Sequence, residues 1–150
     1  MKLNSYEILA HVTLLLSQSP FYRDQTLKNI QYRFVPAIRH GKIRYYMIGK
    51  RMFGFVTWAY LTEQEARHMN FDGQLVYQRE DGEQLWIMDL VATQDVLYIC
   101  RNMCKYLKET TKHDQFYWSR EESSELQRRG ITKINDNVSR ETYLKEVADG

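Results

Sequence analysis

The 150-residue chain contains only two cysteines, Cys100 and Cys104. A spacing of four places them on one face of a helix, and no second pair exists to complete a zinc site. They read as reduced thiols packed in a core, and no metal is expected. No apolar run approaches the roughly 18 residues a membrane span needs. The N-terminus carries one lysine and soon Glu7 and His11, unlike a secretory signal, so a cytoplasmic location is expected. A net charge of +2 is too small to argue for nucleic acid. Neither G-x-G-x-x-G nor G-x-x-x-x-G-K occurs, so a phosphate-cradling glycine loop is excluded. The Q/R-x-x-G-x-G/A loop that binds the pyrophosphate of acetyl-CoA is absent too, which disfavours a nucleotide-bearing donor. Internal repeats and low-complexity stretches are missing.

What is present reads as one domain over residues 1–150, of a size that buries a substantial core. Ile8, Leu9, Val12, Leu15 and Leu16 form one stripe of a helix over 5–17. Asn4 and Glu7 are spaced as its capping box, and Leu3 and Ile8 as the hydrophobic staple. Ser19-Pro20 ends it. A second helix is expected over 24–34, capped by Asp24. Pro36 interrupts, and a short turn over 36–40 closes at Gly41. Residues 43–48 and 52–60 predict two strands around a turn at Gly49-Lys50-Arg51. Thr62 caps a helix over 63–70. An edge strand is expected at Leu75-Val76-Tyr77, and a strand buried on both faces at 85–91. A helix over 95–109 follows, then short strands at 116–118 and 130–134. Residues 120–125 read as a solvated loop. Ser139 is placed to cap a last helix through Tyr143, Leu144 and Val147. The class is mixed α/β with a largely antiparallel sheet.

Asp89 is the one acid in the apolar run 85–91. Burial favours the protonated form of a carboxylate, a property that suits a general base. The alternative is an aspartate paired with an arginine or capping a turn. His11 lies on the apolar side of the first helix and reads as a core or rim histidine, with a base role as the alternative. His40, His68 and His113 have no partner at metal-ligand spacing. Segment 23–51 holds Arg23, Lys28, Arg33, Arg39, Lys42, Arg44, Lys50 and Arg51 against one acid, Asp24. Gathered on one face, these would dock an acidic partner; otherwise they are a solvated surface. The interleaved Tyr32, Tyr45 and Tyr46 lack an accompanying RNA-recognition motif.

Five segments recur in one order: Glu7-Ile8-Leu9-Ala10-His11-Val12, Ser19-Pro20-Phe21-Tyr22-Arg23, Val35-Pro36-Ala37-Ile38-Arg39, Thr57-Trp58-Ala59-Tyr60-Leu61 and Trp86-Ile87-Met88-Asp89. In these, from about Tyr6 to about residue 135, the chain resembles the RTX toxin-activating lysine acyltransferases, the hemolysin-activating family. The resemblance implies a fold similar to the GCN5-related N-acetyltransferases, commonly homodimeric. It implies no bound cofactor. The donor is acyl-acyl carrier protein, whose fatty acyl group hangs on a phosphopantetheine thioester, and the acceptors are internal lysines of an RTX protoxin. The family pairs a histidine in an S-P-x-H-R motif with an aspartate in a W-x-x-D motif. Asp89 stands at the aspartate, Ser19 at the serine, and Tyr22 where the histidine falls.

A lysine amine, with an unperturbed pKa of about 10.4, must lose a proton before it attacks a thioester. A tyrosine of pKa about 10 is a poor base at neutral pH but an adequate acid. The expected arrangement therefore has Asp89 accepting or orienting the amine proton, Tyr22 protonating or positioning the leaving thiol, and Ser19 setting the geometry. The alternatives are His11 as a substitute base, or a homologue that only binds protoxin or carrier protein.

Overall fold

A computed structural model describes residues 2–121, 126–133 and 142–148. Helix α1 (Ser5–Gln18) begins with the expected reciprocal cap: Asn4 accepts from the Glu7 N–H, and Glu7 accepts from the Asn4 N–H. Leu3 and Ile8 join the same apolar cluster, as a staple requires.

Helix α2 (Leu27–Arg39) differs from the expectation at both ends. Thr26, not Asp24, caps it, its side chain accepting from the Asn29 N–H at 3.1 Å. Pro36 does not interrupt it: the proline lies buried inside the helix. Proline forfeits one N–H bond there, and complete burial of the neighbouring Phe34 and Ala37 offsets the loss. Gly41, at φ +67°, then closes the helix. The Lys42 N–H donates to Ala37 O at 2.8 Å and the Gly41 N–H to Ile38 O at 3.3 Å, the paired bonds of a Schellman motif.

Strands β1 (Ile43–Ile48) and β2 (Arg51–Leu61) form the expected hairpin. Gly49 supplies the positive φ, +58°, that its tight turn demands. Helix α3 (Glu63–His68) carries the second capping box, Thr62 with Glu65. The expected edge strand at Leu75-Val76-Tyr77 is instead helix α4 (Gly73–Gln78). The Asp72 carboxylate accepts from the N–H groups of Gln74 and Leu75, and this cap decides for helix. Strand β3 (Gln84–Ala92) and helix α5 (Val96–Thr110) follow. Cys104 is buried on α5 and Cys100 half-buried, both free; burial pushes both thiols up, Cys104 to about 11.

Strand β4 (Gln115–Glu121) takes in Arg120 and Glu121 from the expected loop, whose residues 122–125 lie outside the described ones. β5 (Leu126–Lys133) pairs antiparallel with it. The expected last helix is a strand, β6 (Thr142–Ala148), in register with β5 from Thr132↔Thr142 to Leu126↔Ala148. The ladder satisfies the outer edge of β5, which helical propensity alone does not weigh. Ser139 lies outside the described residues.

The six strands lie in the order β1-β2-β3-β4-β5-β6, antiparallel except where β3 meets β4 in parallel at Trp86↔Tyr117. One face packs on α1, α2 and α4, with Phe55, Ala59, Leu61 and Val91 inward. The other packs on α5 through Val56, Trp58, Tyr60, Leu85 and Ile87. Gly54 marks the closest approach of α5. A Cβ there would stand 2.4 Å from Ile99 Cδ1 and 3.1 Å from the Val91 carbonyl oxygen. Gly54→Ala should cost about 1–3 kcal/mol, read from the denaturation midpoint.

One irregularity decides where Asp89 points. Thr57 pairs with Asp89 but the next residue, Trp58, pairs with Ile87, so Met88 is an extra residue in β3. Strict alternation would put Asp89 on the same face as Leu85 and Ile87, against α5. The bulge shifts the parity and turns Asp89 toward α1 and α2.

Candidate active site

Tyr22 reaches Asp89 through the turn that the Ser19-Pro20 break creates. The Ser19 carbonyl accepts from the N–H groups of Tyr22 at 3.2 Å and Arg23 at 2.9 Å, folding the chain back toward the sheet. The Tyr22 ring packs on Phe34, centroids 6.2 Å apart, and Phe34 meets Phe55 of β2 edge-on at 5.7 Å. That stack delivers the Tyr22 hydroxyl to Asp89, to whose Oδ1 it donates at 2.7 Å. Two side chains 67 positions apart thus share one site. Ser19 takes part through its backbone; among the described residues its hydroxyl makes no hydrogen bond.

Asp89 is more fully held than the sequence indicates. Arg33 of α2 places Nη2 2.6 Å from Oδ1, so the expected alternative of an arginine partner is also met. Thr57 Oγ1, buried on β2, donates to Oδ2 at 3.1 Å. Tyr77 of α4 is buried close enough to feel the Asp89 charge. The carboxylate has 0% of its side chain exposed, whereas 44% of Arg33's is exposed and Tyr22 is half-buried. Asp89 therefore reaches solvent only through the two groups that cover it. Arg33 also lies 5.2 Å from the centroid of the Tyr22 ring.

Burial first, then the Asp89 charge, pushes the Tyr22 phenol well above its ordinary range, with Arg33 opposing. Burial works against the Arg33 charge, but Asp89 and the Tyr22 and Tyr77 phenols together outweigh it, and the guanidinium is held above its usual value. Burial raises Tyr77 strongly and Tyr46 to about 12. The linkage sign follows. Unfolded phenols ionise near 10 while these stay protonated in the fold, so the native state holds more protons and stability falls as pH rises above 10. Ultraviolet titration should show Tyr22, Tyr46 and Tyr77 ionising only as the protein unfolds in alkali.

Arg33 and Thr57 were not singled out as site residues by the sequence. A signal exists for Arg33: it lies three after Ile30 and four before Ala37, at the edge of the apolar side of α2, where a cation asks for an anion. Thr57 carries no such mark.

The other candidates lie elsewhere. His11 faces a cleft formed with the β1–β2 turn and the end of β3, and neither Tyr22 nor Asp89 lines it. His113 pairs with Asp81 at 2.8 Å, and His40 lies 3.2 Å from the Gln74 amide nitrogen. The basic segment is dispersed. Arg33 turns to Asp89, Arg44 donates to Asn102 at 2.7 Å and packs on Tyr106, and Lys42 is buried 3.9 Å from Glu80. Lys50 and Arg51 remain together at the cleft.

The model of the RTX toxin acyltransferase family matches residues 1–134. The leukotoxin-activating lysine-acyltransferase LtxC of Aggregatibacter actinomycetemcomitans is 27% identical over 117 residues, 77% of this chain and 68% of the relative. The RTX-II toxin-activating lysine-acyltransferase ApxIIC of Actinobacillus pleuropneumoniae is 23% identical over 152 aligned positions, 95% of this chain and 91% of the relative. No helix among the described residues is long and apolar enough to cross a membrane.

Proposed function

Because the chain belongs to the RTX toxin acyltransferase family, we infer that it transfers a fatty acyl group from acyl-acyl carrier protein to the side-chain amine of internal lysines of an RTX protoxin. The observation that supports this reading is the 2.7 Å hydrogen bond from Tyr22 to Asp89 beneath a partly open surface. Tyr22 occupies the histidine position of the family motif. A fold like the GCN5-related N-acetyltransferases, a homodimer and a cytoplasmic setting belong to the same proposal, and the mixed sheet suits the first of these.

The roles follow from exposure. Asp89 is enclosed, so it acts as a positioning residue for Tyr22 and Arg33. Tyr22 is the group that meets the substrate. The neutral lysine nitrogen attacks the thioester carbonyl, the C–N bond forms and the C–S bond breaks. The Tyr22 hydroxyl gives its proton to the departing sulfur and regains one from the nitrogen, ending neutral. Its raised pKa keeps it protonated before attack; because burial and Asp89 disfavour the phenolate, the proton leaves for sulfur as the amine proton arrives, with the nearby Arg33 guanidinium opposing the Asp89 charge. The further proton carried by a lysinium is lost to solvent before attack.

A second reading, a homologue that binds protoxin or carrier protein without catalysis, draws on the closure of Asp89 by Arg33. Acyl carrier protein charged with a radiolabelled fatty acid separates the two. Enzymatic transfer leaves label on the protoxin that resists hydroxylamine, as an amide does. Binding alone leaves the protoxin unlabelled.

A further inference from the structure

Two groups converge on a single oxygen of Asp89. The Tyr22 hydroxyl stands 2.7 Å from Oδ1 and Arg33 Nη2 stands 2.6 Å from it. With each along one lone pair of that oxygen, the two are about 4.5 Å apart. The Tyr22 ring is set by Phe34, and the guanidinium by the carboxylate and by both rings, 5.2 Å from the Tyr22 centroid and 5.8 Å from that of Phe34.

A guanidinium carries five N–H bonds. Among the described residues, Asp89 is the one hydrogen-bond acceptor that Arg33 meets. A counter-ion needs no more than that contact, and the N–H bonds left over lie on a side chain 44% exposed, above a carboxylate with no exposure. They are therefore presented to whatever reaches the Tyr22 hydroxyl. In a thioester the carbonyl oxygen and the sulfur share one carbon and lie less than about 3 Å apart. Two donors about 4.5 Å apart reach both ends of such a unit at hydrogen-bond length. Their chemistry divides the two ends between them. The departing sulfur needs a proton, which the phenol gives. The carbonyl oxygen gathers negative charge and needs no proton, which suits a cation that does not deprotonate.

We propose that Arg33 is a second catalytic residue, whose free N–H bonds hold the carbonyl oxygen of the acyl thioester. As the lysine nitrogen bonds to the carbonyl carbon, the C=O π pair moves onto oxygen, and the guanidinium stabilises that oxyanion while keeping its own protons. When the pair returns, the C–S bond breaks and its electrons leave with the sulfur. The sulfur takes the Tyr22 proton, and the phenol oxygen regains one from the nitrogen. This assignment rests on the acyl transfer inferred above and adds the group that holds the carbonyl.

The test uses the intact protein and two unreactive donors mounted on acyl carrier protein. In one, a fluoroketone replaces the thioester and hydrates to a tetrahedral centre. In the other, a thioether of the same chain has no carbonyl. The parent should bind the fluoroketone donor at least about tenfold more tightly, as a tetrahedral analogue of the reacting carbon. Arg33→Gln should lose that preference and bind the thioether donor as the parent does. Its kcat should fall about 10²–10³-fold, the worth of one oxyanion donor, with little change in KM. Arg33→Lys keeps the charge and should recover about tenfold in kcat over the glutamine variant. A residue that only neutralises Asp89 would change the stability of these variants but not the preference of the folded molecules, so binding is measured well below the unfolding midpoint. A preference that survives Arg33→Gln, or equal binding of the two donors by the parent, overturns the assignment. Acyl transfer by the parent, measured in parallel, separates the two inferences. Transfer without the preference overturns the role of Arg33 alone, whereas neither transfer nor binding of either donor overturns the donor reading with it.

Discussion

Tyr22→Phe lowers acyl transfer by about 10²–10⁴-fold, the usual worth of a positioned general acid, and leaves the protein folded. The variant loses one hydroxyl and keeps the ring that packs on Phe34. It frees one of two donors on Asp89 Oδ1, since Arg33 remains at 2.6 Å. The stability cost is accordingly about 1.5–3 kcal/mol, that of one hydrogen bond to a charged group. The signature is a fall in kcat with little change in KM, because the phenol acts on the departing sulfur and not on the bound ground state. Single-turnover kinetics with charged carrier protein read this directly. An unchanged rate would remove Tyr22 from the chemistry.

Asp89→Ala has the largest effect on stability. The substitution strips Arg33 of its anion and leaves the Tyr22 and Thr57 hydroxyls without their acceptor. Removing one partner of a buried ion pair costs about 3–5 kcal/mol. Partial exposure of the guanidinium places this case near 3 kcal/mol, a large part of the stability of a domain this size. Urea denaturation should show the midpoint falling with little change in slope. Asp89→Asn keeps one acceptor oxygen, for Tyr22 at the Oδ1 position or for Thr57 at the Oδ2 position but not both, so it should lose less stability than the alanine variant while still releasing Arg33. If the two variants were equally stable, the hydrogen bond that asparagine retains would contribute nothing, and the whole loss would lie with the ion pair to Arg33.

The parts of this fold that could be read from the sequence are those that local chemistry settles. The capping boxes at Asn4 and Thr62 set helix starts through bonds spanning three residues. The hairpin at Gly49 follows from two aromatic, β-branched runs around a turn. Asp89 stood out because a charge in an apolar strand demands an explanation. The errors fall where distant packing overrides local preference. Pro36 stays in a helix because Phe34 and Ala37 are buried beside it, and Tyr143 to Val147 form a strand because β5 offers an edge.

The site divides in the same way. Tyr22, Ser19 and Asp89 came from motif positions, and the structure brings Tyr22 and Asp89 into contact. Arg33 lay within a run of eight cations, of which Lys42, Arg44, Lys50 and Arg51 go elsewhere, so its role was masked by its neighbours. The Met88 bulge that turns Asp89 toward Tyr22 has no signature in a sequence where both neighbours of Asp89 are apolar.

The most direct measurement is peptide mass mapping of an RTX protoxin after incubation with this protein and acyl-acyl carrier protein. Acyl transfer by the Tyr22–Asp89 site predicts a lysine ε-amine heavier by one fatty acyl chain with the parent protein, and loss of that product with Tyr22→Phe. A protoxin that binds the protein and is recovered with every lysine unmodified would contradict the account.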